Sequence, residues 1–138
     1  MVERKLDVGQ ILARLGEILL ARRIFTIAAI YGLVILLPLY FAEPMMAKAG
    51  RPVNHPELLY GFVGAAACFQ LVYWTIGRDP LRFRPLMPVA VIAKWSFGIP
   101  IAILFANGRV DAMTFALSSI DLAISILFLV AWHVTRAA

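Results

Sequence analysis

AMTFALSSIDLAISILFLVAWH, residues Ala112–His133, decides the fold class of this chain. An α-helix needs about 20 apolar residues to cross the roughly 30 Å of hydrocarbon in a bilayer, and this stretch is long enough. Three more stretches share its length and apolar character: Ile24–Ala42, Leu58–Gly77 and Leu86–Ala106. Because the connections between them are short, consecutive helices are expected to pack antiparallel. The sequence therefore predicts an all-α, four-helix transmembrane bundle.

The overall composition supports the same class. Of the 138 residues, 62% are hydrophobic and 15% are charged, whereas a soluble domain has about 25% charged residues. The formal net charge is +5, which in a soluble protein would indicate nucleic-acid binding. Here the basic residues sit at the ends of apolar stretches, where lipid headgroups explain them better. We therefore expect membrane lipids, and not nucleic acid, as partners.

The residues before the first apolar stretch form a segment of their own. They place apolar and polar side chains on opposite faces of a helix: Val8, Ile11, Leu12, Leu15 and Leu19 against Gln10, Arg14 and Glu17. This pattern predicts an amphipathic juxtamembrane helix over residues 1–23 that lies in the membrane interface. The alternative is a basic tail that simply continues the first span. Residues 24–138 then form the bundle, with spans at 24–42, 58–77, 86–106 and 112–133.

The distribution of basic residues predicts the orientation. One side of the membrane receives nine of them: Arg4, Lys5, Arg14, Arg22, Arg23, Arg78, Arg82, Arg84 and Arg136. The other side receives three: Lys48, Arg51 and Arg109. Because basic residues favour the cytoplasmic side, both termini and the middle connection are predicted to be cytoplasmic.

Five of these arginines are predicted to contact lipid headgroups: Arg22, Arg23, Arg78, Arg82 and Arg84. For the last three, recognition of a phosphorylated ligand is an alternative, although no glycine-rich phosphate loop accompanies them. Four aromatic residues are placed for the same interface: Tyr73, Trp74, Phe83 and Trp132.

Lys94 and Asp121 are the only formal charges inside the four apolar stretches. Lys94 lies about 12 Å in from Leu86, and Asp121 lies about 18 Å in from His133 at the same side of the membrane. Charges at this depth are costly unless they are paired, and they often mark function. The sequence thus predicts an ion pair between the third and fourth spans, which is either structural or part of a functional site.

Further polar residues are predicted to join this pair as ligand or hydrogen-bond candidates. Four residues of the fourth span share one helical face: Thr114, Ser118, Asp121 and Ser125. Gln70 of the second span lies at a similar depth, about 10 Å in from Gly77. Pro100 removes the backbone donor that would otherwise bond the Ser96 carbonyl, which frees that oxygen for the pair.

Several kinds of site are disfavoured. A single cysteine, Cys68, cannot supply a disulfide-exchange pair or a thiolate metal site. His55 and His133 are predicted on opposite sides, so a bis-histidine haem is not expected. His55-Pro56-Glu57 is typical of a helix start, although a site that includes Glu43 remains an alternative. We expect no metal and no cofactor.

Taken together, these residues resemble a family of small bacterial integral membrane proteins of unknown function. The similarity rests on short motifs: His55-Pro56-Glu57, Tyr60-Gly61-Phe62, Gln70, Arg78-Asp79-Pro80, Arg82-Phe83-Arg84-Pro85, Lys94, Gly108-Arg109 and Asp121. It does not extend to the N-terminal segment. The resemblance implies a four-span protein of the bacterial cytoplasmic (inner) membrane, and it implies no activity.

Three function classes remain open on the sequence alone. The first is a non-enzymatic bundle that binds a lipid or a membrane partner, as part of a larger complex or of a homo-oligomer. The second is a small proton-coupled transporter, and the third is a lipid- or sterol-type membrane enzyme that uses Lys94 and Asp121 as acid and base. Of the three classes, the sequence favours a protein that is not an enzyme. A cavity beside the pair would favour a functional role, and close packing around it a structural one.

Overall fold

The computed structural model describes residues 7–136, and all the regular secondary structure in that range is helical. Helix α1 spans Val8–Leu36, α2 spans Ala42–Lys48, α3 spans Pro56–Arg78, α4 spans Met87–Ala106 and α5 spans Ala112–Val134. Short 3-10 helices at Leu37–Phe41 and Arg84–Leu86 precede α2 and α4. Four helical segments are long and apolar enough to cross a membrane, which confirms the predicted all-α class with four helices of spanning length.

The first helical segment is not divided into a separate juxtamembrane helix and a first span, as the sequence had predicted. α1 runs without a break through the boundary expected between residues 23 and 24. No proline and no glycine lies between Gly16 and Gly32, so nothing in the sequence interrupts the helix there. Pro38 lies in the 3-10 helix that follows α1. Arg4, Lys5 and the rest of residues 1–6 lie outside the described residues, as do residues 137–138.

The four long helices pack in a spatial order that differs from their order in the chain. α1 packs against both α3 and α5, and α4 packs against α5. α3 and α4 are consecutive in sequence but touch each other at few points. The expectation that every consecutive pair packs closely is therefore wrong for α3 and α4. Instead, aromatic contacts join α1 to α5, with the Phe25 and Phe128 rings stacked at 4.2 Å.

Glycines allow two of these helix contacts to be close. At Gly77 in α3, an added Cβ would lie 3.0 Å from the backbone nitrogen of Thr26 in α1. At Gly98 in α4, an added Cβ would lie 2.5 Å from Cδ2 of Leu122 in α5. Small residues at such positions let membrane helices approach closely, which strengthens the van der Waals packing between them.

One end of the bundle, which we call the arginine end, carries Arg22, Arg78 and the connection from Asp79 to Phe83. Within that connection, Oδ1 of Asp79 accepts a hydrogen bond from the backbone N–H of Arg82 at 3.1 Å. Arg84 is half-buried, and its Nη2 donates to the Trp132 carbonyl near the end of α5 at 3.1 Å. Arg84 thus holds two helices together, which its position in the sequence did not indicate.

At the opposite end, Asp111 caps α5. Its Oδ1 accepts a hydrogen bond from the backbone N–H of Thr114 at 2.7 Å, and this bond lowers the pKa of Asp111. Arg51 lies 3.5 Å from Oδ2 of the same carboxylate. The two connections at this end are therefore linked by an exposed ion pair, which stabilises proteins only modestly.

Candidate functional site

Lys94 of α4 and Asp121 of α5 form a salt bridge inside the bundle, with Nζ of the lysine donating to Oδ1 of the carboxylate. The Lys94 side chain is 8% exposed and the Asp121 side chain is 23% exposed. The two helices run antiparallel, and the different depths predicted for the two residues are bridged by the long lysine side chain. The ring of Tyr73 in α3 lies on another side of Nζ, 5.6 Å from it.

Tyr73 has a role that the sequence did not predict. Its side chain is 1% exposed and packs edge-on against Phe128 at 4.9 Å, so it belongs to the core. The ring thus faces the other helices, and the inner-interface depth predicted for Tyr73 stays a prediction. A ring face attracts a cation, so the Tyr73 ring gives the Lys94 ammonium group a favourable contact in addition to Asp121. The spacing of aromatic residues along a helix does not show whether a given ring lies in the bundle core or at the membrane interface.

Ser118 and Ser125 are buried between α4 and α5, but they do not bond the ion pair. The hydroxyl of Ser118 lies 3.4 Å from the Gly98 carbonyl and donates to it. The hydroxyl of Ser125 donates to the Leu122 carbonyl at 2.6 Å and accepts from Nε1 of Trp95 at 2.9 Å. Both serines therefore serve the α4–α5 contact, as interhelical polar groups commonly do in membranes.

Gln70 of α3 lies in the wall of the site and is 3% exposed. Its Nε2 donates to the Ala66 carbonyl one turn earlier at 3.0 Å. Its Oε1 is buried without a hydrogen-bond partner among the described residues. This oxygen lies beside Gly32 of α1, where an added Cβ would come within 2.1 Å of it. A glycine in α1 thus makes room for the amide, a relation that only the packing reveals.

The predicted hydrogen bonds from these groups to the pair are absent from the described part of the chain. Gln70 and Ser118 bond backbone carbonyls instead. The Ser96 hydroxyl donates to the Ala93 carbonyl at 2.8 Å, and the Ser96 carbonyl receives no bond from a described side chain. The prediction that Gln70, Ser118 or the Ser96 carbonyl supports the ion pair is therefore wrong, because each has a nearer partner or lies apart from it.

A cavity of about 640 Å³ adjoins the ion pair. It is lined by residues of all four long helices and is mostly apolar, with Phe62, Phe69 and Phe97 among its walls. Its polar lining residues are Tyr31, Gln70, Tyr73, Lys94, Ser96 and Asp121, together with Thr114 near the start of α5. Of the six predicted site candidates, the structure brings Lys94, Asp121, Gln70 and Thr114 to the cavity, whereas Ser118 and Ser125 lie outside its lining.

The cavity lies where α3 and α4 diverge. Val89 and Ile92 of α4 line it and are 47% and 61% exposed, respectively. The Phe62 and Phe97 rings, 5.2 Å apart, bridge the two helices. The cavity therefore opens sideways, towards the region that lipid chains occupy around a membrane-spanning bundle. Its walls extend from Phe62 to Tyr73 along α3, a distance of about 17 Å.

The five arginines predicted to contact lipid headgroups do not line this cavity. Arg22, Arg23, Arg78 and Arg82 are exposed, and Arg84 is half-buried beside Trp132. The guanidinium group of Arg84 lies 5.4 Å from the Trp132 ring centre, which adds a cation–π contact to its hydrogen bond. The basic surface and the cavity are thus separate features.

The polar residues at the opposite end do not assemble a metal site. Nδ1 of His55 is 3.1 Å from Oε1 of Glu57, and both side chains are exposed. Glu43 instead accepts a hydrogen bond from the Tyr60 hydroxyl at 2.6 Å. Within residues 7–136, no group of three His, Cys, Asp or Glu side chains could hold a metal ion. The alternative site with Glu43 is therefore not formed.

Comparison of the chain with protein-family models, with curated proteins and with solved structures finds no match.

Proposed function

We propose that this protein is a non-enzymatic membrane protein that binds an apolar, lipid-like ligand in the cavity beside Lys94 and Asp121. The observation that carries this proposal is the cavity itself, about 640 Å³ with mostly apolar walls. Small-molecule sites have volumes of roughly 300–1,000 Å³ and combine apolar walls with a few placed polar groups. A purely structural ion pair would be expected to be packed on all sides.

The lateral opening supports a ligand that arrives from the bilayer. A molecule that enters between α3 and α4 leaves one apolar environment for another, so its affinity depends on shape and on the polar groups at the inner end. Lys94 and Asp121 neutralise each other, and the cavity contains no third charged side chain among its described lining residues. These features favour binding over acid–base catalysis.

Transport receives less support from the backbone. Many transporters bind their substrates where a membrane helix is broken at mid-membrane. Here α4 remains helical through Pro100 from Met87 to Ala106. The proline thus removes a hydrogen bond without opening the helix, and the described spans offer no unwound segment of the kind that such transporters use.

For the setting of the protein, we propose a bacterial cytoplasmic membrane with the arginine end facing the cytoplasm. The excess of arginine at that end supports this orientation. The first turns of α1 are proposed to lie among headgroups and lipid, since Val8, Leu12 and Leu15 are each more than half exposed. α1 is about 43 Å long, which exceeds the hydrocarbon thickness of about 30 Å. The resemblance to small bacterial membrane proteins agrees with this setting.

We expect cysteine labelling in intact cells to distinguish the two ends of the bundle. In a Cys68→Ala background, Asn54→Cys and Asn107→Cys should react with a membrane-impermeant maleimide from outside. Leu81→Cys should react only after the cells are opened. Asn107 is preferred to Gly108 because Gly108 has φ of +68°, which a cysteine would adopt only with strain. External labelling of Leu81→Cys would contradict the proposed orientation.

We expect Ala93→Phe to block ligand binding, because Ala93 lines the cavity and a phenyl group would fill part of it. The measurement uses protein in lipid nanodiscs and a long-chain lipid analogue with a mid-chain diazirine. Adducts on the cavity-lining residues of α3 and α4 are mapped by mass spectrometry. Their yield should fall about tenfold, as for a loss of about 1.4 kcal/mol in binding free energy.

The matched control is Ala123→Phe, which adds the same group at an exposed position of α5 outside the cavity. This variant should keep the cavity adducts at the level of the unmodified protein. Adducts on outward-facing residues report contact with surrounding lipid, and they should not change in either variant. Equal cavity labelling in Ala93→Phe and the unmodified protein would overturn the proposed function.

A further inference from the structure

Resting on the proposed function, we propose that the ligand is a long-chain alcohol, whose uncharged hydroxyl group donates a hydrogen bond at the polar end of the cavity. The alternatives of the same length and shape are a fatty-acid anion and a long-chain ammonium ion. The choice among the three depends on which hydrogen-bonding capacity the cavity leaves unused, and on the charge that its polar residues present together.

The carboxylate of Asp121 has unused acceptor capacity. Lys94 donates to Oδ1, and Oδ2 accepts no hydrogen bond from any residue in the described range. Because the Asp121 side chain lines the cavity and is 23% exposed, this carboxylate can be reached from the cavity. A carboxylate accepts hydrogen bonds and donates none, so a ligand that approaches it must bring a donor.

Gln70 provides a second unused acceptor in the same wall. Its Nε2 donates to the Ala66 carbonyl. Its Oε1 has no hydrogen-bond partner among the described residues, although Gln70 is buried, with only 3% of its surface exposed. An unpartnered buried carbonyl oxygen is unfavourable, and a ligand donor would relieve that penalty. Oε1 lies beside Gly32, and Gln70 lines the cavity, so the ligand reaches this oxygen once the amide turns towards the cavity.

The lysine, by contrast, is already engaged on two sides. Lys94 donates to Asp121, and the Tyr73 ring faces it at 5.6 Å. An anionic headgroup would have to compete with Asp121 for the lysine and would face a like charge. An ammonium headgroup would meet Lys94 in the same way. A hydroxyl group adds no charge to a neutral pair, and it brings a donor for the unused acceptors of Asp121 and Gln70.

The test compares three photoreactive probes with one chain and one diazirine position, ending in a hydroxyl, a carboxylate or a primary ammonium group. Each is added at pH 8 to the full chain in nanodiscs, and cavity adducts are measured relative to outward-facing adducts. We expect the alcohol to exceed both charged probes by about fivefold, the ratio expected for one hydrogen bond. Gln70→Met, which keeps the shape but removes the amide, should reduce this preference.

Each outcome bears on the proposal in a definite way. If either charged probe labels the cavity as well as the alcohol, and Ala93→Phe still removes that labelling, the cavity binds lipids but the assignment of an alcohol is wrong. Gln70→Met is first shown to be folded by its melting curve. If it then keeps the full preference for the alcohol probe, Gln70 does not accept a hydrogen bond from the ligand, and that part of the proposal is wrong. If no probe labels the cavity above the outward-facing background, the proposed function itself is overturned.

Discussion

Replacing Lys94 with methionine, or Asp121 with leucine, is expected to lower the free energy of unfolding by about 3–5 kcal/mol, the usual effect of removing one partner of a buried ion pair. The remaining charge would be left in the bundle, where insertion scales assign a penalty of about 2.5–3.5 kcal/mol. Asp121 is the more exposed partner, with 23% against 8% for Lys94. We therefore expect Asp121→Leu, which strands the lysine, to have the larger effect.

The double replacement should be less destabilising than the sum of the two single replacements, because neither charge then remains unpaired. Unfolding is measured in one detergent for the four proteins of the double-mutant cycle. A stable double mutant that still shows cavity adducts would assign the pair a structural role. Loss of adducts in a stable double mutant would show that the pair also recognises the ligand. Strict additivity of the two effects would contradict the pairing.

The ion pair could be anticipated from sequence because the rise per residue of an α-helix gives the depth of each residue below the end of its span. The predicted depths of Lys94 and Asp121 in neighbouring antiparallel spans differ by only about 6 Å, which a lysine side chain can bridge, and each charge needs a partner there. The surrounding hydrogen bonds could not be anticipated in the same way. Ser125 and Gln70 donate to backbone carbonyls one turn earlier in their own helices. Ser118 donates to a carbonyl of the adjacent helix. Sequence spacing assigns a residue to a face, but it does not rank the acceptors on that face.

The cavity was not predictable, since it depends on how far two helices diverge. α3 and α4 are consecutive, and their short connection favoured close packing. The stacked Phe25 and Phe128 rings instead draw α1 against α5, and this arrangement leaves α3 and α4 apart. Apolar spans present hydrophobic residues on every side, so their sequence carries little information about which faces meet. The boundaries of α3, α4 and α5, in contrast, follow from prolines, glycines and charges and agree with prediction to within about two residues.

Gly77→Ala is expected to destabilise the bundle by about 3 kcal/mol, the upper part of the usual range for overpacking. The new Cβ would lie 2.5 Å from Oγ1 of Thr26, 3.0 Å from the Thr26 nitrogen and 3.3 Å from the Arg22 carbonyl oxygen. Two of these three atoms belong to the backbone of α1 and cannot move aside by a side-chain rotation. The helices must therefore separate, and thermal unfolding in detergent measures the loss.

Gly61→Ala is the matched control in the same helix, because no atom lies within 4 Å of a Cβ added there. Alanine is favoured over glycine in helices by about 1 kcal/mol, so this variant should be as stable as the unmodified protein or more so. Adding Thr26→Ala to Gly77→Ala should restore only part of the stability, because the replacement removes the hydroxyl but leaves the backbone of α1 in place. A full recovery would mean that the hydroxyl alone sets the spacing of α1 and α3, and an unchanged melting temperature in Gly77→Ala would contradict the close contact itself.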